Sequence, residues 1–141
     1  MPIRQITIIG TGLIDGSFGL AAKAARFRGT IVGCDDKAIL GKAKRKGAID
    51  EAVADPVLAC QGSDIVILAL PVGGIIQTIA KLAAHIPSTS LLTDVGSTKE
   101  QIVRAAQEAF GGETSRRFLA GHPMAGKENS GIEYAVAELF R

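Results

Sequence analysis

The chain reads as an α/β fold with a doubly wound parallel sheet, and three observations predict it. Ile6 to Ile9 is a short β-branched apolar run followed at once by Gly10 and Gly12, where a helix begins. A second apolar run, Thr30 to Cys34, ends at Asp35-Asp36. Further on, short apolar runs keep alternating with stretches of helical periodicity. Runs apolar at nearly every position suit strands buried on both faces, as in parallel sheets covered by helices. The alternation builds βαβ units, with an expected strand order of 3-2-1-4-5-6.

Composition bounds the function classes. The length of 141 residues implies a single domain over residues 1–141. Hydrophobic residues make up 47 % and aromatics only 4 %, so the core must be built from Ile, Val, Leu and Ala. A net charge of +2 argues against a nucleic-acid binder, which concentrates basic residues on one face. The most basic run, Lys42 to Lys46, reads as the solvated face of a helix. Cys34 and Cys60 lack metal-ligand spacing, so no metal is expected, and free thiols point to a reducing, cytoplasmic location. No signal-peptide pattern is present. The longest apolar stretch, Ile65 to Ile76, is broken by Pro71, Gly73 and Gly74 and falls short of the ~20 residues a bilayer span needs, so no membrane partner is expected.

Each element has its own signal. The first helix is expected over about 13–26, with Phe18, Ala21, Ala22 and Ala25 on its packed face. The second helix runs from about Lys37 to Lys46, and Gly47 supplies a C-terminal stop. Residues 48–53 hold a short third strand, and 57–60 a helical turn. Asp64 leads into the clearest buried strand, Ile65 to Leu70, which Pro71 ends. A helix over about 74–84 presents Ile75, Ile79 and Leu82, and His85 just beyond it suits the helix dipole. Ser90 to Asp94 is the fifth strand. Ser97 and Glu100 have capping-box spacing, so the next helix should start there and reach Phe110, with Ile102, Ala106 and Phe110 buried and Gly111-Gly112 ending it. Residues 118–120 form a sixth strand. A last helix is expected from Ile132 to Phe140, with Ile132, Val136 and Phe140 as an exposed stripe able to drive weak self-association.

The glycines and the acidic pair suggest a ligand. Gly10 allows a tight turn, Gly12 lets backbone approach a pyrophosphate, and the N–H groups and dipole of the new helix attract that anion. An acid at the end of the second strand, ~20 residues or more past the glycines, suits the adenosine ribose of NAD and would repel a 2′-phosphate. The competing reading is that Asp35 or Asp36 caps the next helix. In open α/β sheets the ligand lies beyond the carboxyl ends of the strands. There Pro71-Val72-Gly73, Asp94-Val95-Gly96-Ser97 and Gly121-His122-Pro123 should converge on the nicotinamide end. His122 could accept a proton from a substrate hydroxyl as hydride leaves, oriented by Ser97. Alternatively Ser97 is only a helix cap and His122 only a turn residue.

Three motifs carry a resemblance. Gly10-Thr11-Gly12-Leu13-Ile14, Thr93-Asp94-Val95-Gly96-Ser97-Thr98-Lys99 and the stretch Gly121-His122-Pro123-Met124-Ala125-Gly126 through Gly131 resemble the nucleotide-binding domain of prephenate and arogenate dehydrogenases, over essentially the whole chain. The resemblance implies a Rossmann-type NAD-binding domain acting in tyrosine biosynthesis. It implies oxidation and decarboxylation of prephenate to 4-hydroxyphenylpyruvate, with arogenate as the alternative substrate. It matches His122 and Ser97 to the family's catalytic pair, places both with Glu128 at the substrate, and leaves Glu128 equally readable as a solvated loop acid. Gly10, Thr11, Gly12, Leu13, Ile14, Asp35, Leu70, Pro71, Asp94 and Gly96 become the expected cofactor contacts.

Two departures accompany it. Asp15 stands where the fingerprint has its third glycine, with Gly16 next, and a carboxylate there should compete with the pyrophosphate for the helix dipole. The family also has a C-terminal helical domain that forms the dimer and supplies an arginine for the substrate, absent from these residues. A fragment with an incomplete site is therefore expected. The rival reading is an NAD-binding module without catalysis of its own. A related β-hydroxyacid dehydrogenase or pyrroline-5-carboxylate reductase would lack the Gly-His-Pro-Met-Ala-Gly stretch.

Overall fold

The structure is a computed structural model that describes residues 2–10, 12–96, 98–121, 132, 135 and 137, the side chains of 13–15 excepted. Six parallel strands make one sheet: β1 (Gln5–Ile9), β2 (Thr30–Cys34), β3 (Glu51–Ala52), β4 (Ile65–Leu68), β5 (Leu91–Asp94) and β6 (Phe118–Leu119). Their order is β3-β2-β1-β4-β5-β6, as the sequence predicts. The crossovers carry α1 (Leu13–Ala24), α2 (Lys37–Lys46), α3 (Pro56–Ala59), α4 (Val72–Leu82) and α5 (Glu100–Phe110). A 3-10 turn over Gly111–Glu113 and a short α6 (Thr114–Arg117) then lead into β6.

Alternate residues of each central strand feed two different cores. Ile6, Ile8, Ile31 and Ile67 face one layer with Leu40, Ala43 and Ile49. Ile9, Val32, Val66, Leu68 and Leu92 face the other, with Ile75, Ile79, Leu82, Ile102 and Ala106. The register makes this possible, because Ile6 pairs with Ile31 and Ile65 while Ile9 pairs with Cys34 and Leu68. A strand apolar on both sides is stable only between two helical layers.

Packing, more than intrinsic propensity, holds these helices. At 11 residues α4 is below the ~12–15 residues at which isolated helices become even marginally stable. Its Ile75, Ile79 and Leu82 are fully buried, and each such side chain contributes ~1.5–3 kcal/mol. α2 ends as expected, with Gly47 in the left-handed region at φ 82°.

Several boundaries move for identifiable reasons. α4 begins at Val72, two residues early, because Pro71 has the fixed φ of a helix entry and its carbonyl accepts from Ile75 N–H at 2.9 Å. α1 ends at Ala24, and Arg26 takes φ 65° to turn the chain toward β2. α5 begins at Glu100 after Lys99, with no side-chain cap, so the helix does not start at Ser97; Ser97 itself lies outside the described residues. Lys99 instead reaches back to Asp94. The expected exposed stripe of the last helix is corrected at its first member: Ile132 is 3 % exposed and belongs to the core beside α1. Val136 and Phe140 lie outside the described residues.

The buried hydroxyls beside β1 are paired. Thr7 is fully buried between β1 and the α3 turn; its hydroxyl donates to Ala59 O at 2.9 Å and is bonded to Ser63. The Gln5 side-chain amide donates to Ala59 O, Gln61 O and the Ser63 hydroxyl. These bonds staple the edge of the sheet opposite the strands' carboxyl ends and leave that far edge for a ligand. Among the described residues no helix is long and apolar enough to cross a membrane.

Candidate functional site

All six strands run the same way, so Ile9, Cys34, Leu68, Asp94 and Leu119 bring their carboxyl ends to one edge of the sheet. The connections run outward from β1 through β2 to β3 on one side and from β4 through β5 to β6 on the other, so a crevice opens between β1 and β4.

At the first turn Gly10 has φ 91° and its N–H donates to Cys34 O at 2.8 Å. A Cβ there would lie 2.5 Å from Ala69 O, so only glycine fits between β2 and β4. Gly12 differs. It sits at the N-terminus of α1 with φ −90°, and a Cβ would meet nothing within 4 Å. The protein's own packing therefore does not demand glycine at 12, and the space beside it is open to a ligand. Among the described residues no side chain caps α1, whose N-cap is Gly12, and its leading N–H groups have the capacity to bind an anion. Leu13 and Ile14 open the helix; their side chains, that of Asp15 and all of Thr11 lie outside the described residues.

Beside this turn lies a cleft of about 380 Å³ lined by Ile9, Cys34, Asp35, Asp36, Leu70 and Thr78 among others. Asp35 stands just past the end of β2, where its Oδ1 accepts from Asp36 N–H at 2.7 Å. Asp36 is the N-cap residue of α2 by position, yet it makes no side-chain cap bond. A side-chain cap on α2 therefore does not account for Asp36. Leu70 forms cleft wall, and Pro71 starts α4. Ala54, Pro56 and Thr78 also line the cleft. They are ordinary residues of the third and fourth crossovers, and sequence reasoning had no signal for them. Cys34 borders the cleft with its thiol pushed up to about 11, by burial first and then by Asp35 and Asp55. Cys60 is pushed up to about 12 by burial and by Cys34. Neither thiol is in a disulfide, and that of Cys34 donates to Ala54 O at 3.4 Å.

On the other side of the crevice Asp94 ends β5 with 1 % exposure. Its Oδ2 accepts from Gly96 N–H at 2.9 Å and from the Lys99 ammonium, and its Oδ1 accepts from Gly121 N–H at 3.2 Å. Gly96 is closely packed, with a Cβ there 2.7 Å from Ile102 Cδ1 and 3.1 Å from Asp94 Oδ2. A Cβ on Gly121 would lie 2.6 Å from Asp94 O. Of the sequence-predicted residues, Asp94 and Gly96 thus meet directly, and Asp35 and Leu70 share the cleft. Ser97, His122 and Glu128 lie outside the described residues, although Gly96 and Gly121 immediately precede Ser97 and His122 in the chain.

Comparisons with known proteins agree with this geometry. Residues 18–141 match the family described as prephenate dehydrogenase, nucleotide-binding domain. A prephenate dehydrogenase of Lactococcus lactis is 38 % identical over 98 % of this chain and 39 % of its own length. Among solved structures, prephenate dehydrogenase from A. aeolicus in complex with hydroxyphenyl propionate and NAD+ superposes with a TM-score of 0.88. It is 30 % identical, over 99 % of this chain and 48 % of that one. Synechocystis arogenate dehydrogenase gives a TM-score of 0.78 at 32 % identity, over 93 % and 45 %. The chain thus spans less than half the length of these relatives. With a match over most of its residues and a sheet of the same order as its sequence predicts, the chain belongs to the family of prephenate dehydrogenase nucleotide-binding domains.

Proposed function

We propose that this chain is the NAD-binding part of a cytoplasmic dehydrogenase that oxidises prephenate, with loss of CO₂, to 4-hydroxyphenylpyruvate. The observation that carries the reading is the crevice at the carboxyl edge: an open, uncapped glycine turn on β1, an acid on β2 and a tied loop on β5 face it together. The bound NAD+ of the A. aeolicus relative supports the choice of cofactor.

The open backbone at Gly12 and the acid after β2 fit such a group. Gly10, Thr11, Gly12, Leu13 and Ile14 would hold its pyrophosphate at the start of α1, where backbone N–H groups and the helix dipole favour negative charge. Asp35 would accept from the ribose hydroxyls, and the 380 Å³ cleft would take the adenosine. Leu70, Pro71, Asp94 and Gly96 would border the nicotinamide end. When bound, NAD+ supplies a hydride acceptor. His122 would accept the proton of the substrate's ring hydroxyl, Ser97 would orient that imidazole, and Glu128 is the further residue assigned to the substrate. Because the chain covers 39 % of its Lactococcus relative, substrate carboxylate binding and dimer formation are assigned to a further domain. On its own the chain acts as a cofactor-binding module.

Arogenate is the second reading, favoured by the Synechocystis likeness. The test has two arms. Calorimetric titration should show NAD+ binding to this chain more tightly than NADP+. Joined to the C-terminal domain of a relative, the chain should reduce NAD+ with prephenate, and parallel rates with arogenate rank the two substrates. No NAD+ binding, or no turnover of either substrate, refutes the proposal.

A further inference from the structure

Asp94 is the one acid in the described structure buried to 1 %, and its carboxylate is wholly spent inside the chain. Oδ2 takes Gly96 N–H and the Lys99 ammonium, and Oδ1 takes Gly121 N–H. These three groups belong to two separate loops. Gly96 and Lys99 flank Ser97, and Gly121 directly precedes His122. The second loop is pressed so close that a Cβ on Gly121 would meet Asp94 O at 2.6 Å and Thr93 Oγ1 at 3.1 Å.

We propose that Asp94, neutralised by Lys99, is a positioning residue that clamps the loop after β5 to the loop after β6, the two loops that carry Ser97 and His122 in the sequence. The inference rests on the proposed roles of Ser97 and His122. It changes the expected part of Asp94, which acts by holding backbone and not by touching cofactor. A charged acceptor suits the task. Hydrogen bonds to ionised groups are the stronger ones, and a buried carboxylate is tolerable only with a counter-charge and filled lone pairs. Lys99 provides the charge while its own side chain stays 28 % exposed, which keeps the ammonium partly hydrated. Asparagine could not substitute. Both Asp94 oxygens face donors, so an amide would turn its NH₂ against one of the loops whichever way it was placed.

The test uses the chain's two histidines, His122 and His85. His85 is exposed just past α4, at the opposite edge of the sheet, and serves as an internal control. Imidazole resonances of both are followed through a pH titration in the parent chain, in Asp94→Asn, in Lys99→Gln and in Lys99→Arg. We expect His122 shifts and its titration midpoint to move in Asp94→Asn and Lys99→Gln, to return toward the parent in Lys99→Arg, and His85 to stay unchanged throughout. Should Asp94→Asn fail to fold, Lys99→Gln carries the test, since Lys99 is not in the core. Joined to a C-terminal domain, Lys99→Gln should lower kcat with prephenate by ~10²-fold, the scale of a small misplacement of reacting groups, without a change in NAD+ affinity. An unmoved His122 spectrum in a folded Lys99→Gln or Asp94→Asn chain overturns the clamp. Full turnover by His122→Asn, measured alongside, refutes the catalytic reading instead, because the spectra report the clamp independently of catalysis.

Discussion

Gly16 of α1 lies directly against Ile132: a Cβ on Gly16 would overlap Ile132 Cδ1 and sit 2.9 Å from Ala135 Cβ. The fingerprint's third glycine is displaced by one residue, to the position where the chain after β6 returns to cover α1. One turn further, Gly19 faces the backbone of Ala48, with a Cβ overlapping Ala48 O and 3.1 Å from its carbonyl carbon. Close packing of α1 is thus shared by two glycines, neither at position 15.

These contacts rank two substitutions. Gly→Ala in an open helix interior gains ~1 kcal/mol, and overpacking costs ~1–3 kcal/mol. Gly16→Ala meets the movable end of Ile132 most closely and must displace Ala135 Cβ by only a few tenths of an ångström, so denaturant unfolding should show a loss of ~1 kcal/mol, within the usual cost of overpacking. Gly19→Ala meets backbone that cannot step aside and should lose more than Gly16→Ala. The reverse order would show that Ala48 shifts easily and that Ile132 is fixed.

Asp35 should set cofactor choice. A lost hydrogen bond to a charged group costs ~1.5–3 kcal/mol, so Asp35→Ser should weaken NAD+ binding roughly tenfold or more. Asp35→Ala with Asp36→Arg should shift preference toward NADP+. Calorimetry on the three proteins decides, and a parent chain that prefers NADP+ would remove Asp35 from the ribose.

His122→Asn, with the C-terminal domain attached, should lower kcat ~10²–10⁴-fold while NAD+ binding stays near normal. Ser97→Ala should cost less, since its proposed part is to orient the base and not to take the proton. A near-normal kcat for His122→Asn would leave the histidine without a part in the chemistry.

The two thiols predict an alkaline limit. Burial holds Cys34 up to about 11 and Cys60 up to about 12, from 9.0. Folding therefore favours the protonated thiols. Their contribution is complete below about pH 9 and is lost as pH rises, because the unfolded chain then releases protons that the folded chain keeps. Each thiol lowers stability by ~1.4 kcal/mol per pH unit, until pH passes about 11 for Cys34 and about 12 for Cys60. Unfolding free energies between pH 8 and 10.5 should fall less steeply in Cys60→Ala than in the parent; equal slopes would show the thiols do not titrate this way. Iodoacetamide at pH 7.5 should label neither thiol without unfolding.

The sequence alone determined the layers, the strand order and the edge of the sheet that the glycine turn faces. Those follow from local rules: strands apolar on both faces need helices on both sides, and a glycine turn between strand and helix must face the carboxyl edge. Gly47 could be read as a helix stop because left-handed backbone is a local demand. Only the tertiary structure decided what depends on distant atoms. Ile132 looked like one side of an exposed stripe until Gly16 offered it a place. Nothing along the chain showed that Gly121, 27 residues away, would come within hydrogen-bond reach of the Asp94 carboxylate. Ser97 and Glu100 had capping-box spacing, yet α5 starts at Glu100 and Lys99 turns back to a buried carboxylate. Spacing along the chain can propose a partner, but a buried charge takes whichever donor the fold brings to it, since leaving it unpaired would cost several kcal/mol.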